Sequence, residues 1–178
     1  MPLSADLFEK LGAFYIGRPV EPESGEKADT PFLYDPNDLL THAVCVGMTG
    51  SGKTGLGIAL LEEAAIDGIP AIIIDPKGDL TNLALQFPEL RAEDFRPWVS
   101  QDAALREGVS PDAFAEAQAA LWKKGLAQWG QDGERIRRLQ KSAEVAVFTP
   151  GSTVGIPVSV VRSFAPPAPA ILKDAELL

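Results

Sequence analysis

The octapeptide Gly47-Met48-Thr49-Gly50-Ser51-Gly52-Lys53-Thr54 fits the pattern G-x-x-x-x-G-K-[ST]. Its flanks carry the fold expectation. The apolar run Ala43–Val46 leads into it. Behind it, Thr54–Ile66 sets Leu56, Ile58, Leu60, Leu61 and Ala65 mostly on one side of a helix, and Asp67-Gly68 is the stop. Pro70–Ile74 is a second unbroken apolar run, closed by Asp75-Pro76. Runs without alternation suit strands of a parallel sheet buried on both faces. Ala43 to Asp75 therefore reads as one βαβ unit, with the glycine-rich turn between its first strand and its helix.

That placement gives the octapeptide its chemistry. A triphosphate is a dense anion. Successive backbone N–H groups can wrap it, and glycines let the chain approach without Cβ clashes. The helix that begins near Gly52 turns its free amides and positive dipole end to the same place. Gly47, Thr49, Gly50, Ser51, Gly52, Lys53, Thr54 and Gly55 form the candidate phosphate site. Lys53 is the group expected to reach the β- and γ-phosphates, and the Thr54 hydroxyl is expected to ligate magnesium. The implied ligand is a nucleoside triphosphate, ATP with Mg2+. The competing reading is a glycine-rich turn with a solvated lysine.

Asp75 is ambiguous. An apolar strand ending in aspartate has the form of a magnesium-associated carboxylate, but Asp75 follows directly on the first crossover helix. It reads either as a group beside the phosphate site, a candidate metal-associated residue together with Thr54, or as a plain strand-end carboxylate. His42 is the single histidine, so a histidine metal cluster is impossible, and its position before the first strand reads as a boundary.

Outward from this unit, Asp6–Leu11 reads as a short helix and Gly12–Val20 as a short strand, rich in aromatic and β-branched residues. Glu21–Pro31 is a polar, turn-rich loop. Beyond the second apolar run, Leu80–Phe87, Pro111–Gln128 and Asp132–Ser142 read as helices, with Ser110 before Pro111 as a start signal. Trp98, Trp122 and Trp129 read as core packing rather than ligand stacking. Arg135–Lys141 reads as a solvated helix face rather than a nucleic-acid contact. Glu144–Thr149 is a third strand, and Ile156–Val161 a further extended segment. The division expected is an N-terminal segment over 1–30 and a nucleotide-binding core over 31–161 with a helical insertion at about 79–142. A Pro-rich start of a following region then occupies 162–178.

The bulk properties are permissive. With 178 residues there is room for one domain with a real core. The 16 basic and 25 acidic residues give a formal charge of −9, which argues against a broad nucleic-acid surface on this chain. Cys45 is the single cysteine, so no intrachain disulfide can form. The N-terminus lacks the apolar core of a signal peptide, and no window approaches 18 uninterrupted apolar residues. The expectation is a cytoplasmic protein without a membrane segment.

The stretch from His42 to Leu83 resembles the HerA/FtsK superfamily of P-loop motor ATPases. The T-G-S-G-K-T core at Thr49–Thr54 is common to many phosphate loops. The segment Ile74-Asp75-Pro76-Lys77-Gly78-Asp79 is more specific, as is the histidine before the first strand. The stretch Phe148–Val160 is similar to a [YF]-x-P-G-S-x-x-G-x-P segment of large bacterial HerA-like ATPases. The resemblance covers about residues 32–161. It implies an α/β fold, a RecA-like P-loop NTPase core with a parallel sheet and a helical insertion. It also implies ATP hydrolysis that drives DNA or protein through a homo-oligomeric ring.

One departure limits that implication. Motors of this kind carry a later strand ending in Asp-Glu, whose glutamate polarises the attacking water. No apolar run ending in Asp-Glu follows residue 80. The expectation is therefore an incomplete core, the N-terminal portion of a longer protein or a truncated product. No catalytic residue is assigned. Such a chain would bind ATP and Mg2+ but hydrolyse ATP very slowly alone, and any contact with DNA would be made by the complete protein. Two alternatives stay open. One is a stand-alone P-loop kinase or nucleotide switch, with Arg135, Arg137 and Arg138 supplying a lid. The other is a non-catalytic nucleotide-binding interaction module.

Overall fold

Two short aromatic stretches, Phe-Tyr-Ile and Phe-Leu-Tyr, pair first along the chain. The computed structural model describes residues 12–159, so the helix expected at Asp6–Leu11 and the Pro-rich stretch 162–178 lie outside the described residues. Strand β1 (Phe14–Gly17) pairs antiparallel with β2 (Phe32–Tyr34), Phe14 opposite Tyr34 and Tyr15 opposite Leu33. The polar loop between them carries a single bridge, Val20 to Lys27. Asp35 then caps a 3-10 turn over Pro36–Leu40, accepting the Asn37 N–H at 2.9 Å.

The chain divides into two compact units at Glu144/Val145. In the first, the helices form much as their end signals direct. Helix α1 spans Lys53–Ile66 and ends at Asp67-Gly68, with Gly68 at φ +73°. A 3-10 turn over Asp79–Ala84 replaces the α-helix expected at Leu80–Phe87. Pro88 stops any continuation, because a residue before proline is pushed out of the helical region. Two short helices that the sequence pattern leaves unmarked follow, α2 (Ala92–Phe95) and α3 (Gln101–Arg106). Helix α4 spans Pro111–Gln128, and the Ser110 hydroxyl accepts the Ala113 N–H at 3.1 Å. Helix α5 spans Gly133–Ser142, with Asp132 accepting the Glu134 N–H at 2.9 Å.

The buried side chains fall into two groups. Phe14 and Tyr15 of β1, Ile66 of α1 and Leu139 of α5 belong to elements packed around α1. Ala104 of α3 and Ala115 and Ala119 of α4 are the others, and α4 packs on both α2 and α3.

The sheet departs from expectation. Ala43–Val46 and Pro70–Ile74 are not strands, and their side chains are exposed: Val46 by 87% and Ile72 by 97%. A mixed α/β chain is present, but no parallel sheet of RecA type forms among the described residues. The reason is physical. An unbroken apolar run specifies burial on two faces and hydrogen-bonding neighbours on two sides, and it does not specify which segment supplies them. Neither run takes part in a described strand pair.

The tryptophan reading is likewise corrected. Trp98 and Trp122 are 63% and 55% exposed. Leu121, beside Trp122 on α4, is exposed as well. Trp129 is half-buried, with the Lys27 ammonium 4.2 Å over its ring.

In the second unit, β3 is Phe148–Pro150, shorter than the strand expected over Glu144–Thr149. It pairs in parallel with β4 (Ile156–Val158), Phe148 opposite Ile156. The Thr149 hydroxyl ties the connection, donating to the Ser152 carbonyl at 2.9 Å and accepting the Gly155 N–H at 3.2 Å. A Cβ on Gly155 would stand 2.6 Å from the Val147 carbonyl oxygen, so only glycine permits this close return.

Candidate functional site

The turn that precedes α1 is built on two left-handed glycines. Gly50 has φ +82° and Gly52 φ +92°, conformations that a side chain would strain. Between them, Ser51 N–H donates to the Met48 carbonyl at 3.2 Å and closes the turn. Gly47 also fits tightly, since a Cβ there would meet the Ser51 hydroxyl.

Gly52 is the residue at the N-terminal cap of α1, and no side chain caps that end. The first amides of the helix are thus left for an outside acceptor, and they add to the positive end of its dipole. Leu56 N–H already bonds the Gly52 carbonyl at 2.9 Å, so the helix is regular from its first turn.

Lys53 folds back over the loop. Its ammonium donates to the Gly47 carbonyl at 2.5 Å and the Met48 carbonyl at 2.6 Å. One cation thus sits inside a curl of backbone that also presents free N–H groups. Thr49, Ser51, Thr54 and Gly55 are exposed around it. The structure therefore brings together all eight loop residues singled out in the sequence.

Asp75 has a different setting. One carboxylate oxygen accepts the Gly78 N–H at 2.9 Å, and the other accepts the Leu80 N–H at 2.7 Å. It organises the turn that crosses left-handed Gly78 into the 3-10 segment Asp79–Ala84, which packs on α1. These amides, that of Leu80 foremost, hold its carboxyl below the usual 3.8. His42 is exposed on the extended segment before the loop.

The basic stretch of α5 is not a solvated face. Arg135 is 9% exposed and donates to Glu63 of α1, itself 7% exposed. Arg137 bonds both Glu134 and Glu89. Glu63 also accepts the Tyr15 N–H at 3.0 Å, and the Tyr15 hydroxyl donates to the Trp129 carbonyl at 3.1 Å. Glu63 is not marked by any motif in the sequence. Its available signal was a carboxylate placed between Ala59 and Ile66, four residues after one and three before the other, on the side of α1 that turns inward. Its neighbour Glu62 has its carboxyl pushed above the usual 4.5, chiefly by burial.

A shallow cavity of about 150 Å3 lies beside this network, lined by Tyr15, Ile16, Gly17, Ala59, Trp129 and Gln131. No described helix is long and apolar enough to cross a membrane.

The sequence profile of one family, described as the central domain of helicase HerA, matches residues 14–160. No curated protein matches the chain, and no solved structure does.

Proposed function

Because the chain belongs to the HerA helicase central-domain family, we propose that it is the ATP- and magnesium-binding portion of a HerA/FtsK-like motor ATPase. The observation that carries the reading is the Lys53 ammonium held by the Gly47 and Met48 carbonyls over an uncapped helix end. A cation and free amides converge there on one curl of backbone.

The residues present fit the ligand. Left-handed Gly50 and Gly52 turn the loop so that its backbone can line an anion, and neither has an atom within 4 Å of where a Cβ would project. The amides of Gly50, Gly52, Lys53 and Thr54 would bind phosphate oxygens, with Lys53 exchanging its two carbonyl partners for them. The exposed hydroxyl of Thr54 would ligate magnesium. Bound Mg-ATP supplies a phosphoanhydride whose cleavage can drive movement, and the chain's own part is to bind and orient it. Asp75 serves the site indirectly, through the turn it fixes against α1. In the complete protein, assembly into a homo-oligomeric ring and translocation of DNA or protein would follow the family pattern.

The kinase alternative needs arginines free to close over a phosphate. Arg135 and Arg137 are instead engaged by Glu63, Glu134 and Glu89. That observation favours the motor reading.

The test is binding of a fluorescent ATP analogue with and without Mg2+, for the wild type and Thr54→Ala. Magnesium should tighten wild-type binding, and Thr54→Ala should lose most of that gain. Equal magnesium dependence in the two proteins would overturn the assignment of Thr54.

A further inference from the structure

The amino-terminal end of α1 has little holding it in place. Gly52 caps it without a side-chain bond, and Gly55 and Gly57 follow within its first turns. Glycine inside a helix weakens it relative to alanine. The other end is fastened firmly. Glu63 accepts from the Tyr15 N–H and from the Arg135 guanidinium, Asp67 accepts the Gly12 N–H at 2.8 Å, and Ile66 is buried. Lys53 lies ten residues from Glu63 along one unbroken helix, roughly 15 Å away.

We infer that Glu63 and Arg135 are positioning residues for the phosphate loop, and that they couple helix α5 to the aim of α1. The inference rests on the reading of Gly47–Thr54 as a nucleotide site.

A buried ion pair is a poor device for stability alone. Desolvating two charges offsets most of their attraction, and apolar replacements often hold a fold equally well. Geometry is what such a pair supplies. The guanidinium is a rigid, planar donor, and the carboxylate that receives it also holds a main-chain amide of β1. Strand β1 and helix α5 are thereby fixed at one point on α1.

Arg135 is itself seated. It lies in the first turn of α5, where Asp132 caps the helix. Gly133 lets that end press on the Pro88 carbonyl, and Arg137 bonds Glu89 across the same contact. A displacement of the 88–89 segment or of α5 therefore reaches α1 through Arg135. Helix α1 then carries it to Lys53 and Thr54.

The experiment compares the wild type with Arg135→Lys and with the double variant Glu63→Gln, Arg135→Met. The glutamine keeps an acceptor for the Tyr15 N–H, and methionine fills the volume of the arginine stem. Thermal melting and calorimetric titration with Mg-ATP are both recorded. The double variant should melt within about 4 °C of the wild type. It should bind Mg-ATP roughly five- to thirty-fold more weakly. Amide exchange without nucleotide should also be faster in both variants over Gly50–Leu56 and unchanged over α4, a segment-specific pattern that a general loss of stability would not give. Arg135→Lys, which keeps the charge, should fall between. A folded double variant with wild-type affinity and wild-type exchange would overturn the inference and leave the nucleotide reading standing. A wild type that does not bind Mg-ATP would overturn both.

Discussion

Replacing Gly133 with alanine would place a Cβ 2.0 Å from the Pro88 carbonyl oxygen and 3.2 Å from its carbon. Ordinary contact distances are roughly 1.5 Å longer than the first of these. The atom met is backbone, so no rotamer change relieves it. Either α5 withdraws from the 88–89 segment or that segment moves. Overpacking of this kind costs about 1–3 kcal/mol. Alanine returns up to about 1 kcal/mol by restricting the unfolded chain and favouring helix, less at a first helical position than within a helix. The net expectation is a loss of about 1–2 kcal/mol, which lowers the melting midpoint of a chain this size by about 2–8 °C. Gly125 is the control. It lies inside α4, its φ is not positive, and a Cβ added there would meet nothing within 4 Å, so Gly125→Ala should raise stability by about 0.5–1 kcal/mol. Thermal unfolding followed by circular dichroism measures both. A midpoint for Gly133→Ala equal to or above the wild type would refute the argument that Pro88 and α5 form a fixed seat for Arg135.

Three further outcomes follow from the geometry. Residue-specific NMR titration of carboxyl carbons should find Asp75 below 3.8 and Glu62 above 4.5. The Asp75 contribution to the turn is then present above its ordinary value and lost as pH falls through its lower folded value, whereas any contribution from protonated Glu62 is present at low pH and lost as pH rises through its raised value. Gly52→Ala meets no atom but must adopt φ +92°, at a cost of about 1–3 kcal/mol; nucleotide affinity should fall at least several-fold, and unchanged affinity would mean that the loop relaxes freely. Steady-state ATP turnover by this chain should stay well below about 1 s−1, the lower end of ordinary enzymes, because no apolar run ending in Asp-Glu follows residue 80. Turnover near that rate, abolished by Lys53→Ala, would contradict it.

What could be read from the sequence was local. Helices α1, α4 and α5 announce themselves through Asp67-Gly68, Ser110-Pro111 and Asp132, because capping acts within a few residues. The turn before α1 was legible for the same reason: Gly50 and Gly52 encode its backbone directly. The sheet was not. Val44, Val46, Ile72 and Ile74 report an affinity for burial without naming a partner, and all four are exposed. The Glu63–Arg135 pair joins positions 72 apart, and nothing in either neighbourhood identifies the other. Arg135 looked like part of a basic face because charge alone does not reveal pairing. The exposure of Trp98 and Trp122 was hidden in the same way, since large aromatics are buried only where another element comes to cover them.

The most direct test of the nucleotide assignment is calorimetric titration of the purified chain with Mg-ATP, run beside Lys53→Ala. Lys53 touches only the Gly47 and Met48 carbonyls among its described hydrogen bonds and lies on the loop's surface, so its loss should leave the fold intact. The wild type should bind with micromolar affinity, and a folded Lys53→Ala should not bind. Equal binding by the two proteins, or no binding by the wild type, would contradict the claim that Gly47–Thr54 is a working phosphate loop.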